Sequence, residues 1–437
     1  MAICKTIGEE IISMNNKKPE LLSPAGTLKN MRYAFAYGAD AVYAGQPRYS
    51  LRVRQNDFNK LNNLEIGIKE AHAIGKKFYV TTNILPHNAK LKTFLADIAP
   101  IIDMQPDALI MADPGLVMLV LERWPQMAIH LSVQANTMNY AAVKFWRNIG
   151  LSRIILSREL SLEEIGEIRQ QCPEIELEVF IHGALCVAYS GRCLLSGYLN
   201  HRDANQGTCT NACRWNYQVH LGKEDENGVY LLEEKERPGE YMPIFEDEHG
   251  SYVMNSKDLR AIQHVDYLLK IGIDSLKIEG RTKSYYYVAR TAQVYRQAIN
   301  DAAKGKPFDM TLMAELENLS HRGYTEGFYR RHAPEEYQKY SSNVSSNRQQ
   351  FVGEILSRDT KTGLFEVVVK NHFELGDHLE LMSPQGNRQF TLEYLENQYD
   401  EKISVAPGSG YTVYIKAPVE NEISYGLLLK FLGEELR

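Results

Sequence analysis

The chain has 437 residues, 44% of them hydrophobic and 24% charged, with a formal net charge of −6; that length exceeds one compact core and points to two domains or a barrel with an appendage. No apolar run approaches the roughly 18 residues of a membrane span, and "MAICKTIGEEIISMNNKKPE" has neither an h-region nor a small-residue cleavage site, so a cytoplasmic protein with no membrane partner is expected. The acidic balance excludes indiscriminate nucleic-acid binding through a broad basic surface and leaves RNA to a local patch.

Residues 1–18 form an N-terminal tail. From there, short apolar runs alternate with helix-length segments: "ELLSPAG", "ADAVYAG", "KFYVTTN", "DALIMAD", "AIHLSVQAN", "RIILSREL", "ELEVFIHG" and "DSLKIEGR". Eight β-α units with uninterrupted apolar strands predict a parallel sheet buried on both faces, and eight closes an α/β (β/α)8 TIM-like barrel over residues 19–340. The alternative is an open doubly wound sheet, against which "SPAG" lacks a GxGxxG fingerprint. The gap between the seventh and eighth runs is several helices long, so a cysteine-rich insertion is placed at about 184–254. "NSKDLRAIQHVDYLLKIG" then predicts a capped amphipathic helix at about 256–271. Beyond "SSNVSSNRQQ", a linker that predicts an independently folding unit, short alternating strands over 348–437 predict a small C-terminal antiparallel β-barrel.

Four of the six cysteines (Cys186, Cys193, Cys209 and Cys213) fall in one short window with the spacing C-x6-C-x15-C-x3-C. Clustering of this kind means a shared ligand. Zinc sites favour C-x2-C knuckles, whereas iron–sulfur clusters accept thiolates from separate loops at irregular spacing. The spacing therefore favours a four-cysteine iron–sulfur cluster and leaves structural zinc or unliganded thiols open. Cys4 and Cys172 have no such company and read as isolated thiols.

Catalytic groups of such barrels sit just past the strand ends. Those positions hold Tyr43, Asn83, Asp113, Gln134, Asn136, Arg158, His182, Glu279 and Arg281, with Arg48, Arg52 and Arg54 after the second strand. Guanidinium forks there suit a dicarboxylate or an RNA phosphate, although any single arginine is equally a surface salt bridge. By the two-residue period of a strand, Glu178, Phe180 and His182 share one face. Inside a barrel, Glu178 is either bonded to Lys277 or an arginine of the core, or a general acid/base.

"EVFIHGALCVAYSGRCLLS" resembles the signature of the collagenase-like U32 peptidase family, carried by Glu178, Phe180, Gly183, Ala184, Leu185, Cys186, Gly191, Cys193 and Ser196. "HRDANQGTCTNACRW" and "HRGYTEGFY" are similar to its tRNA-hydroxylation branch. The resemblance implies a 4Fe-4S cluster on Cys186, Cys193, Cys209 and Cys213, and oxygen-independent 5-hydroxylation of the wobble uridine with prephenate as co-substrate. The implied partners are tRNA, through its anticodon loop, and an Fe–S or electron-donor protein. In that scheme His182, Glu178 and Glu279 are catalytic candidates, and Tyr43, Arg48, Asn83, Gln134, Asn136, Arg158 and Arg281 bind substrate, with Tyr189 as a further aromatic neighbour of a flipped base. Two other readings stand beside it. One is a peptidase with a Cys186–His182 nucleophile pair, with no H-E-x-x-H or G-x-S-x-G motif to support a metallo or serine mechanism. The other is a non-catalytic Fe–S or RNA-binding scaffold.

Overall fold

The structure, a computed structural model, describes residues 18–51, 56–186, 188–193, 210, 217–221, 230–234, 241–244, 257–321, 323–330, 348–419 and 421–432. Strands β1 (Glu20–Pro24), β2 (Ala41–Gly45), β3 (Lys77–Thr82), β4 (Ala108–Met111), β5 (Ile129–Leu131), β6 (Arg153–Ile155) and β7 (Glu176–Ala184) follow one another as parallel neighbours. The insertion contributes an antiparallel sheet of β8 (Tyr217–Leu221), β9 (Tyr230–Glu234) and β10 (Tyr241–Ile244), followed by β11 (Asp258–Arg260). Strand β12 (Ser275–Ile278) then pairs in parallel with both β7 and β1 and closes an eight-stranded barrel. All eight apolar runs are therefore barrel strands, because a strand covered on both faces carries no polar alternation.

The helices are α1 (Leu28–Ala36), α2 (Leu61–Ala73), α3 (Asn88–Asp103), α4 (Pro114–Arg123), α5 (Tyr140–Ile149), α6 (Leu162–Gln171), α7 (Val265–Lys270), α8 (Tyr285–Ala303) and α9 (Thr311–Glu317). Their starts are set locally. Thr27, Asp113, Asn139 and Ser284 each accept the backbone N–H three residues on, and Ser161 with Glu164 forms a capping box. Among the described residues no helix is long and apolar enough to cross a membrane.

The helix expected at about 256–271 is shorter. Asp258–Arg260 is extended as β11, and helical backbone begins only with a 3-10 turn at Ile262 that leads into α7. The cause lies in β7, which outruns the barrel. On the side of β6, whose pairing ends at Glu178, its last residues His182–Ala184 have no parallel partner left, and β11 supplies the antiparallel one, with β13 (Tyr324–Thr325) added outside it.

The same end of β7 carries a register shift. Lys277 faces Phe180, but the next residue, Ile278, faces His182, so Ile181 is an extra residue. One inserted residue turns everything after it to the other face. Glu178 and Phe180 point into the barrel, whereas His182 points out among Tyr287, Tyr295 and Tyr324; the shared face expected for the three residues ends at Phe180.

The C-terminal unit is an antiparallel half-barrel. It comprises β14 (Gln349–Arg358), β15 (Phe365–Val369), β16 (Phe373–Glu374), β17 (His378–Met382), β18 (Arg388–Thr391), β19 (Leu395–Asn397), β20 (Val405–Ala406), β21 (Thr412–Ile415) and β22 (Leu427–Phe431). Seven of these pair in the order β18-β17-β22-β14-β15-β21-β19, and β16 pairs with β20. The unit has its own core around Phe365, Phe373, Leu379 and Leu428, but Met382, Leu427 and Leu429 belong to the core of the large barrel. Three side chains of the C-terminal unit thus pack into the core of the large barrel.

Candidate functional site

A cavity opens at the C-terminal end of the barrel. Its wall takes Tyr43 from β2, Thr81 and Asn83 from β3 and its end, Ser132 and Gln134 after β5, and Arg158 after β6. Phe180 of β7, Cys186, Ser190 and Gly191 after it, and Lys277, Glu279 and Arg281 from β12 and its end add to it, and Leu51, Ile110, Val133 and Ile155 complete the lining. Parallel strands in a closed barrel converge their C-terminal ends, so residues more than 200 positions apart meet here.

The wall is rich in donors. Arg281 is held by three acceptors, donating to Ser50 Oγ at 2.9 Å, Thr81 Oγ1 at 2.7 Å and the Leu51 carbonyl at 2.7 Å. Arg158 stacks over the Phe180 ring at 4.0 Å and donates to the Ala184 carbonyl at 2.9 Å. Among the described residues, Arg158 Nε and Gln134 Nε2 are buried donors with no partner. Lys277 Nζ lies 4.4 Å from the Tyr43 ring centroid and 5.5 Å from that of Phe180, and donates to Glu178 at 2.7 Å. Burial pushes its ammonium below the usual lysine range, against the opposing pull of Glu178. Glu279 is a buried carboxyl residue at the same mouth. Its backbone packs so closely on β7 that any side chain at Gly183, which has φ +106°, would strike the Glu279 carbonyl.

Below the cavity lies a ladder of buried charge. Glu178 joins Lys277 to Arg153 Nη1 at 3.1 Å, and Arg153 reaches Glu20 at 2.6 Å and Glu176 at 2.7 Å. Glu20 also accepts from the Tyr79 hydroxyl at 2.7 Å. Burial alone would raise the Glu20 carboxyl, but Arg153, Tyr79 and Lys77 outweigh it and hold the group below the usual range. Glu178 is thus a core ion-pair residue, held by both Lys277 and an arginine.

Three other expected positions lie apart from the cavity. His182 has Nδ1 at 3.3 Å from the Tyr295 hydroxyl, which donates to the Ile181 carbonyl at 2.8 Å; with its one proton committed there, that oxygen accepts from the imidazole N–H. Arg48 turns outward to Asp97 at 2.8 Å, half exposed. Asp113 caps α4. Asn136 plays a supporting part: its Nδ2 donates to the Gln134 carbonyl at 2.9 Å and the Ser190 carbonyl at 3.0 Å, tying the cysteine-bearing loop to the end of β5. Arg52, Arg54, Cys4, Cys209 and Cys213 lie outside the described residues. Thr81, Ser132 and Lys277 line the cavity without having been singled out as site residues from the sequence. Thr81 and Lys277 sit inside strands, where only the barrel's inward face reveals them, and Ser132 was legible as the polar residue ending the β5 run.

Cys186 is exposed in the cavity wall and Cys193 is half-buried at the end of the same loop, neither in a disulfide. Two thiols on one loop are the donor type an iron–sulfur cluster takes, and among the described residues no group of three or more His, Cys, Asp or Glu side chains forms a metal site. Cys172 differs. It is buried, with its thiol donating to the Tyr140 carbonyl at 3.6 Å, and burial pushes that thiol up.

Residues 26–339 match the model of peptidase family U32, and residues 347–430 that of the peptidase family U32 C-terminal domain. The chain is similar to tRNA hydroxylation protein P of Escherichia coli (strain K12), with 63% identity over 448 residues that cover 96% of this chain and 98% of that one. It is 60% identical over 445 residues to the protein of the same name from Haemophilus influenzae, covering 95% and 96%. It is 32% identical over 327 residues to the 23S rRNA 5-hydroxycytidine C2501 synthase of E. coli, covering 72% of this chain and 46% of that one. The chain belongs to peptidase family U32, in the branch that holds the tRNA hydroxylation proteins.

Proposed function

We propose that this protein is a tRNA-modifying enzyme that hydroxylates C5 of the wobble uridine without molecular oxygen, with prephenate as co-substrate and a 4Fe-4S cluster on Cys186, Cys193, Cys209 and Cys213. The observation that carries the reading is the cavity itself: one wall holds Cys186, and the others hold Arg158, Lys277 and Gln134 with donor capacity left over. The names of the relatives support it, two being tRNA hydroxylation proteins and one a synthase that hydroxylates a pyrimidine at carbon 5.

Prephenate carries two carboxylates and a keto oxygen, all acceptors, and the donors that would anchor them are the unpartnered Nε of Arg158 and the ammonium of Lys277. C5 of a stacked base is out of reach, so the uridine enters unstacked, against Tyr43 and Phe180. Glu279 stands at the mouth to take the proton that leaves C5. When bound, the cluster supplies one-electron redox chemistry beside the cavity. Replacing C5–H by C5–OH with oxygen at the water level is a two-electron oxidation of the base, so the scheme needs an acceptor for two electrons, and an electron-transfer protein is the partner proposed to take them.

Peptide hydrolysis finds no support in the geometry, because the imidazole of His182 faces the tyrosines of α8 and not the cavity that Cys186 lines. Nucleoside mass spectrometry of bulk tRNA tests the proposal, comparing strains with and without the gene in a background stripped of any oxygen-dependent hydroxylase. Loss of 5-hydroxyuridine derivatives is expected, and unchanged levels refute it. Iron and sulfide analysis of anaerobically purified protein tests the cluster. Alanine at any of the four cysteines should remove iron and activity together, whereas zinc in place of iron in the unaltered protein would reject the cluster.

A further inference from the structure

One chain of hydrogen bonds along the cavity wall runs in a single direction. It starts at the backbone N–H of Leu51, a group that can only donate, which bonds Asn83 Oδ1 at 3.2 Å. With its oxygen committed, the Asn83 amide presents Nδ2 to Ser132 Oγ at 3.5 Å. That hydroxyl, already accepting, passes its proton to Gln134 Oε1 at 3.2 Å. Gln134 therefore has its oxygen satisfied and its NH2 left over, and Nε2 is the atom with no partner although the residue is only 4% exposed. Reversing the Gln134 amide would set its NH2 against a hydroxyl oxygen that already accepts and leave the hydroxyl proton without an acceptor in this chain.

A buried, unpartnered donor whose orientation is set from the backbone upward is a recognition element for an acceptor atom. Its place says which atom. Gln134 lies under the loop that carries Cys186 and Cys193: a Cβ built on Gly191 would stand 3.0 Å from Gln134 Cβ, and Asn136 ties Ser190 to the Gln134 carbonyl. On a pyrimidine reacting at C5 beside that loop, the adjoining polar group is the one on C4. Uracil has an oxygen there and cytosine an amino group.

We infer that Gln134 is a specificity-determining residue whose amide N–H donates to the 4-oxo group of the target base, selecting uridine over cytidine. The inference rests on the uridine-hydroxylase reading above. It also bears on the cytidine relative: enzymes acting at carbon 5 of the two bases must differ in what they present to position 4.

The test uses full-length holoprotein prepared anaerobically and two anticodon stem-loops that differ only in U or C at the wobble position, competed for binding and for turnover. Gln134→Leu should lower uridine turnover by about 10–100-fold with the prephenate KM unchanged. Gln134→Glu, which offers an acceptor where the amide offered a donor, should move the U-to-C binding ratio toward C by at least about 10-fold. Ser132→Ala frees the amide to turn and should give an intermediate ratio, in a variant whose fold is checked by its melting temperature. A U-to-C ratio unmoved in Gln134→Glu, with both substrates weakened equally, overturns the inference while leaving the hydroxylase reading intact. A raised prephenate KM with an unmoved ratio assigns the donor to the acid's carboxylate and overturns it too. Wild-type protein that modifies neither stem-loop overturns the uridine reading and this inference with it.

Discussion

His182 lies near the end of β7, yet it is a structural residue of the outer layer. Burial pushes its imidazole down to about 3, with Arg260, Lys283 and His321 acting in the same direction. The folded state thus holds His182 neutral while the unfolded chain protonates it near pH 6.5. Its contribution to stability is present above the unfolded value and is lost as pH falls from about 6.5 toward 3. In a histidine-selective NMR titration the His182 ring should show no protonation between pH 5 and 8; a midpoint near 6.5 would place the ring in solvent. Glu178 answers to a different measurement. It is the shared partner of Lys277 and Arg153 in the barrel core, and Glu178→Gln removes the negative charge from between two buried cations. That change should destabilise by about 3–5 kcal/mol in urea unfolding. A loss below 1 kcal/mol would mean that water reaches this layer.

At the scale of elements, the extra residue Ile181 in β7 decides which face of the strand serves the site and which serves α8. The strand's overhang also recruits β11, and β11 is in turn tied to α9 by Glu317, which bonds His321 at 3.0 Å and pairs with Arg260. The His321 bond, helped by Arg260 and opposed by burial, holds the Glu317 carboxyl down to about 2. Its stabilisation is complete above the unfolded carboxylate value of about 4.3 and disappears as pH falls toward 2. Glu317→Gln should therefore be less stable than wild type in chemical denaturation at pH 7, with the two converging near pH 2. A gap that persists at low pH would show that packing, not charge, holds α9 to β11.

Across the whole molecule, the C-terminal half-barrel is bolted to α1 and α8. Glu354 of β14 accepts from Lys29 at 2.5 Å and from the hydroxyls of Tyr33 and Tyr285 at 3.0 and 3.1 Å. Arg290, fully buried in α8, pairs with Glu380 of β17 at 3.1 Å and with Glu315 at 2.5 Å, and Gln349 closes the group by donating to Glu380 at 2.6 Å. Deleting residues 348–437 strips this cover from a buried guanidinium and from Tyr33 of α1 and Tyr285 of α8. The remaining barrel should melt at a lower temperature, whereas intact protein should unfold in one calorimetric transition. Arg290→Met strands Glu380 and should cost about 3–5 kcal/mol. Two well-separated transitions in the intact protein would refute the coupling.

Eight barrel strands, the positions past their C-terminal ends and the cysteine-rich insertion were all legible in the sequence, because each is a local property. A strand buried on both faces is apolar throughout, and a strand end is marked by the small or polar residue that stops it. The tertiary structure alone decided how those residues are spent. His182 leaves the barrel face because β7 and β12 fall out of register. Arg48 leaves the site because Asp97 of α3 takes its guanidinium. Gln134, in the cavity lining, keeps an unpartnered donor because a backbone N–H at Leu51 sets the order of every hydrogen bond after it. Each of these outcomes depends on a partner tens of positions away, and such pairings are created only when the chain closes on itself.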